Sequence, residues 1–425
     1  MRILHLVHQY PPDYVGGTEL YTQRLAIGQA IMGHNVAVFC PSPLSEIGEM
    51  QITEEGQGVH IYRVPLGPRS RTQVFRDTFR QRRILDSLKG VLRQESPDIV
   101  HVQHLMGLPT GLIDHLVEVN IPYVVTMHDY WYFCANAQLL TNTDQTICEG
   151  PDERALNCGQ CALARAGRKQ LSWMATAVGP LMQTRNRRLR AVLDRADRVI
   201  APTEFVYHTY ARAGISGANM VIIRHGIELP EEELEVARRR REFRKGDGCL
   251  RIGYVGSIGW QKGIHILIEA VNTLPPERVQ LTLYGDPTVF PDYVASLRDK
   301  IQHPSIDLAG PVSREDLWLA LAEFDVVVMP TLWFEVSPLT IDEVFAVGVP
   351  IVASRIGAMT EKINDGVNGR LFPTGDVVVL RQILSDLLDN PELLDHWRAG
   401  IRPVRRIDEH MADIEKLYQL SLNTV

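Results

Sequence analysis

Short apolar runs alternate with stretches of helical spacing along almost the whole chain. In the first half RILHLV, NVAVFC, DIVHVQ, YVVTMH and RVIAP are four to six residues of near-continuous β-branched and aliphatic character, which predicts strands buried on both faces. Between them lie segments with apolar residues three and four apart, such as ELYTQRLAIGQAIMG, whose closing Gly33 is a helix stop. A second series follows after residue 250: RIGYVG, QLTLYGD, IDLAG, DVVVMP, PIVAS and GRLF, separated by helical patterns such as GIHILIEAVNTL and SREDLWLALAEF. Apolar strands separated by helices imply parallel sheets covered on both sides. The pattern therefore predicts an α/β chain of two doubly wound, Rossmann-like halves facing across a cleft, with ligands outside the C-terminal ends of the strands.

The intervening stretch IELPEEELEVARRRREFRKGDG is strongly charged and ends in glycines, so it reads as a linker or a solvated helix at a boundary. The expected division is an N-terminal domain over 1–226, a linker over 227–249 and a C-terminal domain over 250–404. An amphipathic closing helix over 405–425 is expected to pack back on the first domain. A length of 425 residues exceeds what one core supports and agrees with two domains.

Charge and composition narrow the function. The net charge of -7 gives no support to nucleic-acid binding. No apolar run approaches the roughly 20 residues that cross a bilayer, and the opening MRILHLVHQYPP is too short for a signal peptide, which together predict a cytoplasmic protein. Two segments, 69–89 and 165–198, are rich in arginine and carry Phe75, Phe79, Trp173 and Met174. They read either as solvated helix faces or as a peripheral contact with an anionic membrane.

Four loops hold candidate chemistry. Gly16-Gly17 follow the first strand directly before Thr18-Glu19, at a strand-to-helix turn that can admit a ligand backbone-first. GYVGSIG, residues 253–259, has the spacing G-x-x-G-x-x-G, which is not that of a dinucleotide fingerprint, and no ribose-binding acid follows at the right place. Lys262 and Gly263 come directly after it and open a helix, an arrangement that suits a diphosphate or a simple surface turn. In FEVSPLTIDEVFAVGVPIVAS, Glu335 and Glu343 frame a loop-to-helix transition, where carboxylates accept from sugar hydroxyls or merely cap a helix. His101 and His104 end the strand DIVHVQHL and read as structural hydrogen-bonding groups or as ligand contacts.

Of the six cysteines, Cys134, Cys148, Cys158 and Cys161 cluster in a polar insert with the spacing C-x13-C-x9-C-x2-C, while Cys40 and Cys249 stand alone. The terminal C-x2-C suits zinc, although reduced thiols and disulfides also fit the pattern. An ordered insert so close to His128 would border the cleft beside it.

Glu335 and Glu343, with seven residues between them, resemble the E-x7-E motif of family 4 retaining glycosyltransferases, which have the GT-B fold of two Rossmann domains. The resemblance extends through the GG loop, His128-Asp129, GYVGSIGWQKG, LYGD, LAGPVSREDL, FDVVVMPT and DGVNGRLFPTGD, in order and over nearly the whole chain. It implies a nucleoside-diphosphate sugar donor, a glycan or lipid-linked acceptor, and no cofactor for catalysis. It further implies that Glu335 meets the donor sugar, Glu343 the ribose, and Lys262 the diphosphate. Ser257, Ser337, Pro338 and Leu339 fall in the stretches near the phosphates and sugar, where Pro338 has no N–H to give. His128 and Gly17 would approach from the opposite domain. The pattern departs from the family at Ser257, where an arginine is common, and at His225-Gly226, where Asn-Gly is common and Arg224 stands alongside. It departs again at Val336-Ser337-Pro338, which replaces an aromatic-glycine pair. A nucleotide-sugar epimerase and a non-catalytic sugar-binding protein are the competing readings on the same fold.

Overall fold

The computed structural model describes residues 1–42, 46–215, 217–243 and 248–423. The chain divides into two compact units, one of Met1–Arg224 with Asp408–Val425 and one of His225–Ile407. In the first unit the described residues build β1 (Arg2–Leu6), β2 (Asn35–Ser42), β3 (Gln51–Glu55), β4 (Val59–Pro65), β5 (Ile99–Val102), β6 (Tyr123–Thr126), β7 (Arg198–Ala201) and β8 (Met220–Ile222). Their order in the sheet is β3-β4-β2-β1-β5-β6-β7-β8, all parallel except the β3–β4 pair. The second unit holds β9 (Leu250–Val255), β10 (Val279–Tyr284), β11 (Ile306–Gly310), β12 (Val326–Met329), β13 (Ile351–Ser354) and β14 (Gly369–Phe372). They form a parallel sheet in the order β11-β10-β9-β12-β13-β14.

Strand alternation explains the two-faced burial. Ile252, Tyr254, Val326 and Val328 enter one core, while Val327, Met329, Ile351 and Ala353 enter the core on the other face of the same sheet. In the first unit Ile3, Ile99, Val124 and Ile200 form one core with Tyr21 and Leu25 of the Gly17–Ile31 helix. The closing helix Ile407–Leu422 completes that core with Ile414, Leu417 and Tyr418. Each such buried aliphatic side chain contributes roughly 2 kcal/mol, so the chain's last helix belongs to the core of its beginning.

Both units have a topological switch point. Chain order reverses between β1 and β5 in the first sheet and between β9 and β12 in the second. At such a point adjacent crossovers leave on opposite faces, and the parting loops open a crevice beyond the strand ends.

The stretch expected as a linker or solvated helix contains the helix Glu231–Phe243, and residues 244–247 lie outside the described residues. The helix is not fully solvated: Leu234 and Ala237 are buried in a core with Trp318 and Leu321, and the Arg238 guanidinium donates to the Ala346 carbonyl at 2.7 and 2.9 Å. Residues 424–425 of the expected closing helix also lie outside the described residues. Among the described residues no helix is long and apolar enough to cross a membrane.

Candidate functional site

In the second unit the switch point brings two separate loops together. The loop after β9 carries exposed Ser257 and the short turn Trp260–Lys262; the loop after β12 carries Thr331, Trp333 and Glu335. The Leu332 N–H donates to the Gln261 carbonyl at 2.8 Å and ties the loops backbone to backbone. Gly263 makes the close approach possible: its φ is +69°, and a Cβ there would stand 2.0 Å from the Pro330 oxygen. A Gly263→Ala variant is expected to lose about 2–4 kcal/mol through left-handed strain and backbone overlap. Urea unfolding of the variant checks this, and a loss within about 0.5 kcal/mol would count against it.

The Lys262 Nζ donates to Glu335 Oε1 at 2.6 Å, the Trp333 Nε1–H donates to the same oxygen at 2.8 Å, and Thr331 Oγ1 lies 3.3 Å from it. All of these act on Oε1. Among the described residues Oε2 takes no protein hydrogen bond, so it is the oxygen left for a ligand hydroxyl. The Glu335 residue is 6% exposed, and the ammonium also lies 5.6 Å from the Trp333 ring centroid.

Glu343 sits on the helix Leu339–Ala346, which begins at Pro338, and is buried against an ion pair with Arg314. Arg314, whose guanidinium lies 5.5 Å from the Trp318 ring centroid, was not singled out in the sequence. Its position within the motif LAGPVSREDL was its only signal. Ser337 Oγ is buried and has no hydrogen-bond partner among the described residues. The second unit therefore brings Lys262 and Glu335 into contact, with Ser337 at the start and Glu343 within the helix that follows the same loop, and Ser257 exposed on its turn.

In the first unit side chains of β1, β5 and β6, of the residues after β5 and β6, and of the Gly17–Ile31 and Ile407–Leu422 helices form a hydrogen-bonded relay. His128 Nε2–H donates to Gln103 Oε1 at 2.8 Å, because an amide oxygen can only accept. The Gln103 amide then donates to His5 Nδ1 at 3.1 Å, and His5 Nε2–H donates to Gln29 Oε1 at 2.7 Å. The Gln29 amide donates to the Tyr418 hydroxyl at 3.2 Å, and His101 lies between two hydroxyls, with Nδ1 2.6 Å from Tyr418 and Nε2 2.7 Å from Thr126 Oγ1. The two amides thus set the tautomers of His128 and His5, and His128 keeps its proton on Nε2. Burial favours the neutral ring, pushing His128 down to about 3 and His5 to about 4, with His101 also well below the ordinary value.

A second set lies beside it. The Met106 N–H donates to His104 Nδ1 at 3.0 Å, which puts the His104 proton on Nε2, 3.0 Å from Asp129 Oδ2. The rings of His8 and His104 are 4.3 Å apart, and His8 Nε2 lies 3.4 Å from Glu19 Oε1. His8 and Glu19 were missed in the sequence because they flank the glycine pair without any recognisable spacing. Gly17 proves to be the first residue of its helix, without positive φ, and a Cβ there would meet no heavy atom within 4 Å. The helix thus begins at Gly17 itself, and the space beside its Cα is open. Arg224 pairs with Glu204 at 2.9 Å.

Cys134, Cys148, Cys158 and Cys161 line one cavity in the first unit. Among the described residues, however, no three His, Cys, Asp or Glu side chains converge closely enough to hold a metal ion. The zinc expectation is corrected for a local reason. The Cys148 sulfur accepts from Gly150 N–H at 3.4 Å in its own turn, while the Cys161 sulfur accepts from Asn142 N–H at 3.3 Å and Asn142 Nδ2 at 3.1 Å on another segment, so the two are held by different partners. All six cysteines are free thiols.

Two parallel α/β sheets, each with polar side chains collected at its switch point, define the GT-B architecture of glycosyltransferases. The family model for Glycosyltransferase Family 4 matches residues 15–231, and that for Glycosyl transferases group 1 matches residues 249–390. The chain belongs to glycosyltransferase family 4 and is a glycosyltransferase enzyme. Glycogen synthase of Mycobacterium tuberculosis is 24% identical over 413 residues, which cover 92% of this chain and 87% of that protein. An uncharacterized 41.2 kDa protein in the cps region of Klebsiella pneumoniae is 26% identical over 197 residues, or 46% of this chain and 53% of that one. Among solved structures, sucrose-phosphate synthase of Thermosynechococcus elongatus superposes with a TM-score of 0.69 at 18% identity, covering 100% of this chain and 99% of that one. Anabaena HepE in complex with UDP-glucose superposes with a TM-score of 0.65 at 16% identity, covering 100% and 99% respectively.

Proposed function

We propose that the enzyme moves a hexose, with retention, from a nucleoside-diphosphate sugar to a glycan or lipid-linked acceptor, in cell-surface polysaccharide or glycoconjugate synthesis. The observation that carries this reading is the Lys262–Glu335 pair at the β9/β12 switch point, with one carboxylate oxygen held by three side chains and the other left for a ligand. In this assignment Glu335 Oε2 accepts from a hydroxyl of the donor sugar, Lys262 neutralises the diphosphate, and Glu343 accepts from the ribose. The amides of Ser337 and Leu339 lie at the start of the Leu339–Ala346 helix, where an anion is favoured, and Pro338 between them has no N–H. The orphaned Ser337 hydroxyl adds a donor of the kind that a phosphate or sugar oxygen satisfies.

The leaving diphosphate gains charge as the glycosidic bond breaks, so a fixed ammonium and helix N-terminus act most strongly in the transition state. Retention follows when the acceptor attacks from the face the nucleotide leaves, with the leaving phosphate taking the acceptor's proton. Glu335 then acts by positioning the sugar and not as a nucleophile. His128 is assigned to a substrate contact as a neutral ring oriented by Gln103, and Gly17 to a position where substrate comes near the helix start. A working place at the inner face of the cytoplasmic membrane belongs to the same proposal.

Nucleotide release from UDP-, GDP- and ADP-sugars by the purified chain tests the reading. One donor class is expected to be turned over, with the product's anomeric configuration kept by NMR. If no donor is bound and Glu335→Ala matches the wild type, the reading fails.

A further inference from the structure

The first unit contains a cavity of about 620 Å³, a volume that suits one ligand of drug-like size. Much of its wall is apolar: Val74, Phe75, Trp131, Leu140, Leu181 and Met182 contribute carbon surface. Its charged groups are all of one sign. Arg69, Arg71, Arg165 and Arg185 line it, and no aspartate or glutamate does.

Only Arg69 is neutralised locally, by Asp77 at 2.7 Å. The other three guanidinium groups form no ion pair among the described residues. Arg71 donates to the Arg165 carbonyl at 3.0 Å, Arg165 to the Ala135 carbonyl at 2.9 Å, and Arg185 to the Trp131 carbonyl at 2.6 Å and Asn186 Oδ1 at 2.9 Å. Arg185 is 1% exposed and stacks 4.7 Å from the Trp131 ring centroid. Arg185 donates only to neutral oxygens and feels Asp129 without an ion pair, so an anion in the cavity would give this buried cation a direct partner. The apolar wall excludes a fully hydrated anion as the whole ligand. At the rim Leu181 is 56% exposed, and Trp173, shortly before it in the chain, is 72% exposed. Leu181 thus both lines the cavity and reaches the surface.

We infer that this cavity binds an apolar chain ending in a phosphate or diphosphate, with the chain along the Phe75–Leu181–Met182 wall and the anion at Arg71, Arg165 and Arg185. Naming that ligand as the lipid anchor of the acceptor rests on the proposed function; the binding itself does not. The arginines recognise the charge, the carbon wall recognises the chain, and neither half alone satisfies the site. This gives the arginine-rich segment around residues 69–77 a ligand of its own, separate from the donor groups of the second unit.

Isothermal titration calorimetry on the full chain, with no sugar donor present, tests the inference. Farnesyl diphosphate is expected to bind at least about tenfold more tightly than either farnesol or inorganic diphosphate, since each lacks one of the two recognised parts. Arg71 and Arg165 are both exposed, so the double variant Arg71→Glu/Arg165→Glu should fold; it should weaken farnesyl diphosphate by about tenfold or more and leave farnesol unchanged. Leu181→Glu should weaken both farnesyl ligands. Equal binding of farnesol and farnesyl diphosphate, equal binding of inorganic diphosphate, or no effect of the double variant would each overturn it. Because no donor enters the measurement, failure here and failure of sugar transfer are separate results.

Discussion

Replacing Lys262 by methionine is expected to lower kcat/KM for the nucleotide sugar by about 100- to 1,000-fold, the range seen when one preorganised electrostatic contact to a developing anion is removed. The loss should fall mainly on kcat. In the free enzyme the ammonium is engaged by Glu335 Oε1 at 2.6 Å, so part of its charge is already used before the donor arrives. A diphosphate that gains charge during bond cleavage competes better than one at rest, and the ammonium therefore favours the transition state. Lys262→Arg should recover part of the rate because the charge is kept while the geometry changes. Stability should move as well. The side chain of Glu335 is 8% exposed, and without its cation it retains only Trp333 and Thr331 as partners, a change of about 1–3 kcal/mol. Steady-state kinetics of the two variants decide it: a Lys262→Met enzyme within about threefold of wild type would remove lysine from the chemistry.

Acid should unfold the first unit well before it affects the second. His5 is pushed down to about 4 and His128 to about 3 by burial, and His8 and His101 also lie well below the ordinary value. The unfolded chain takes up protons on these rings near pH 6.5, whereas the folded chain refuses them until far lower pH. Stability is therefore full above about pH 6.5 and falls as pH drops from 6.5 towards 4, by roughly 1.4 kcal/mol per pH unit for each such histidine. Glu19, also desolvated, has its carboxyl pushed up and works with the opposite sign, one group against four. Urea midpoints measured from pH 7.5 to 4.5 should show this slope, and His5→Gln should reduce it by about one proton's worth. A stability profile that stays flat over that interval would exclude the neutral relay. The amides of Gln29 and Gln103 orient this relay, so its tautomers depend on residues with no charge of their own.

Much of the secondary structure was legible because it depends on short windows. Each of the apolar runs named in the sequence is a strand in the structure, since continuous aliphatic character is what two covered faces require. Three strands were not visible. β3 is QITEE, an exposed antiparallel edge without an apolar pattern; β4 is broken by exposed His60 in its alternation; and β8 has only three residues. The charged stretch before residue 250 left linker and solvated helix open, and its packing was not visible because only Leu234 and Ala237 on one narrow face are buried. The cysteine spacing pointed to one metal site, but the turns at Asn142 and Gly150 hold the sulfurs around a cavity instead of at a point.

The chain's local pattern determined the β/α alternation, the two-sheet architecture and the loops at strand ends where Lys262, Glu335, Glu343 and His128 stand, because strand period and helix spacing are written within a few residues of each position. Tertiary structure alone decided which of these groups touch. Lys262 and Glu335 are 73 positions apart, Arg314 and Glu343 are 29 apart, and Gln29 meets Tyr418 across 389. Such contacts follow from the strand order β9 beside β12 and from the return of the last helix to the first sheet. The return of the helix was expected, but the strand order and the residues that meet across it have no local signature, since burial of an apolar face constrains what a segment is and not which distant segment covers it.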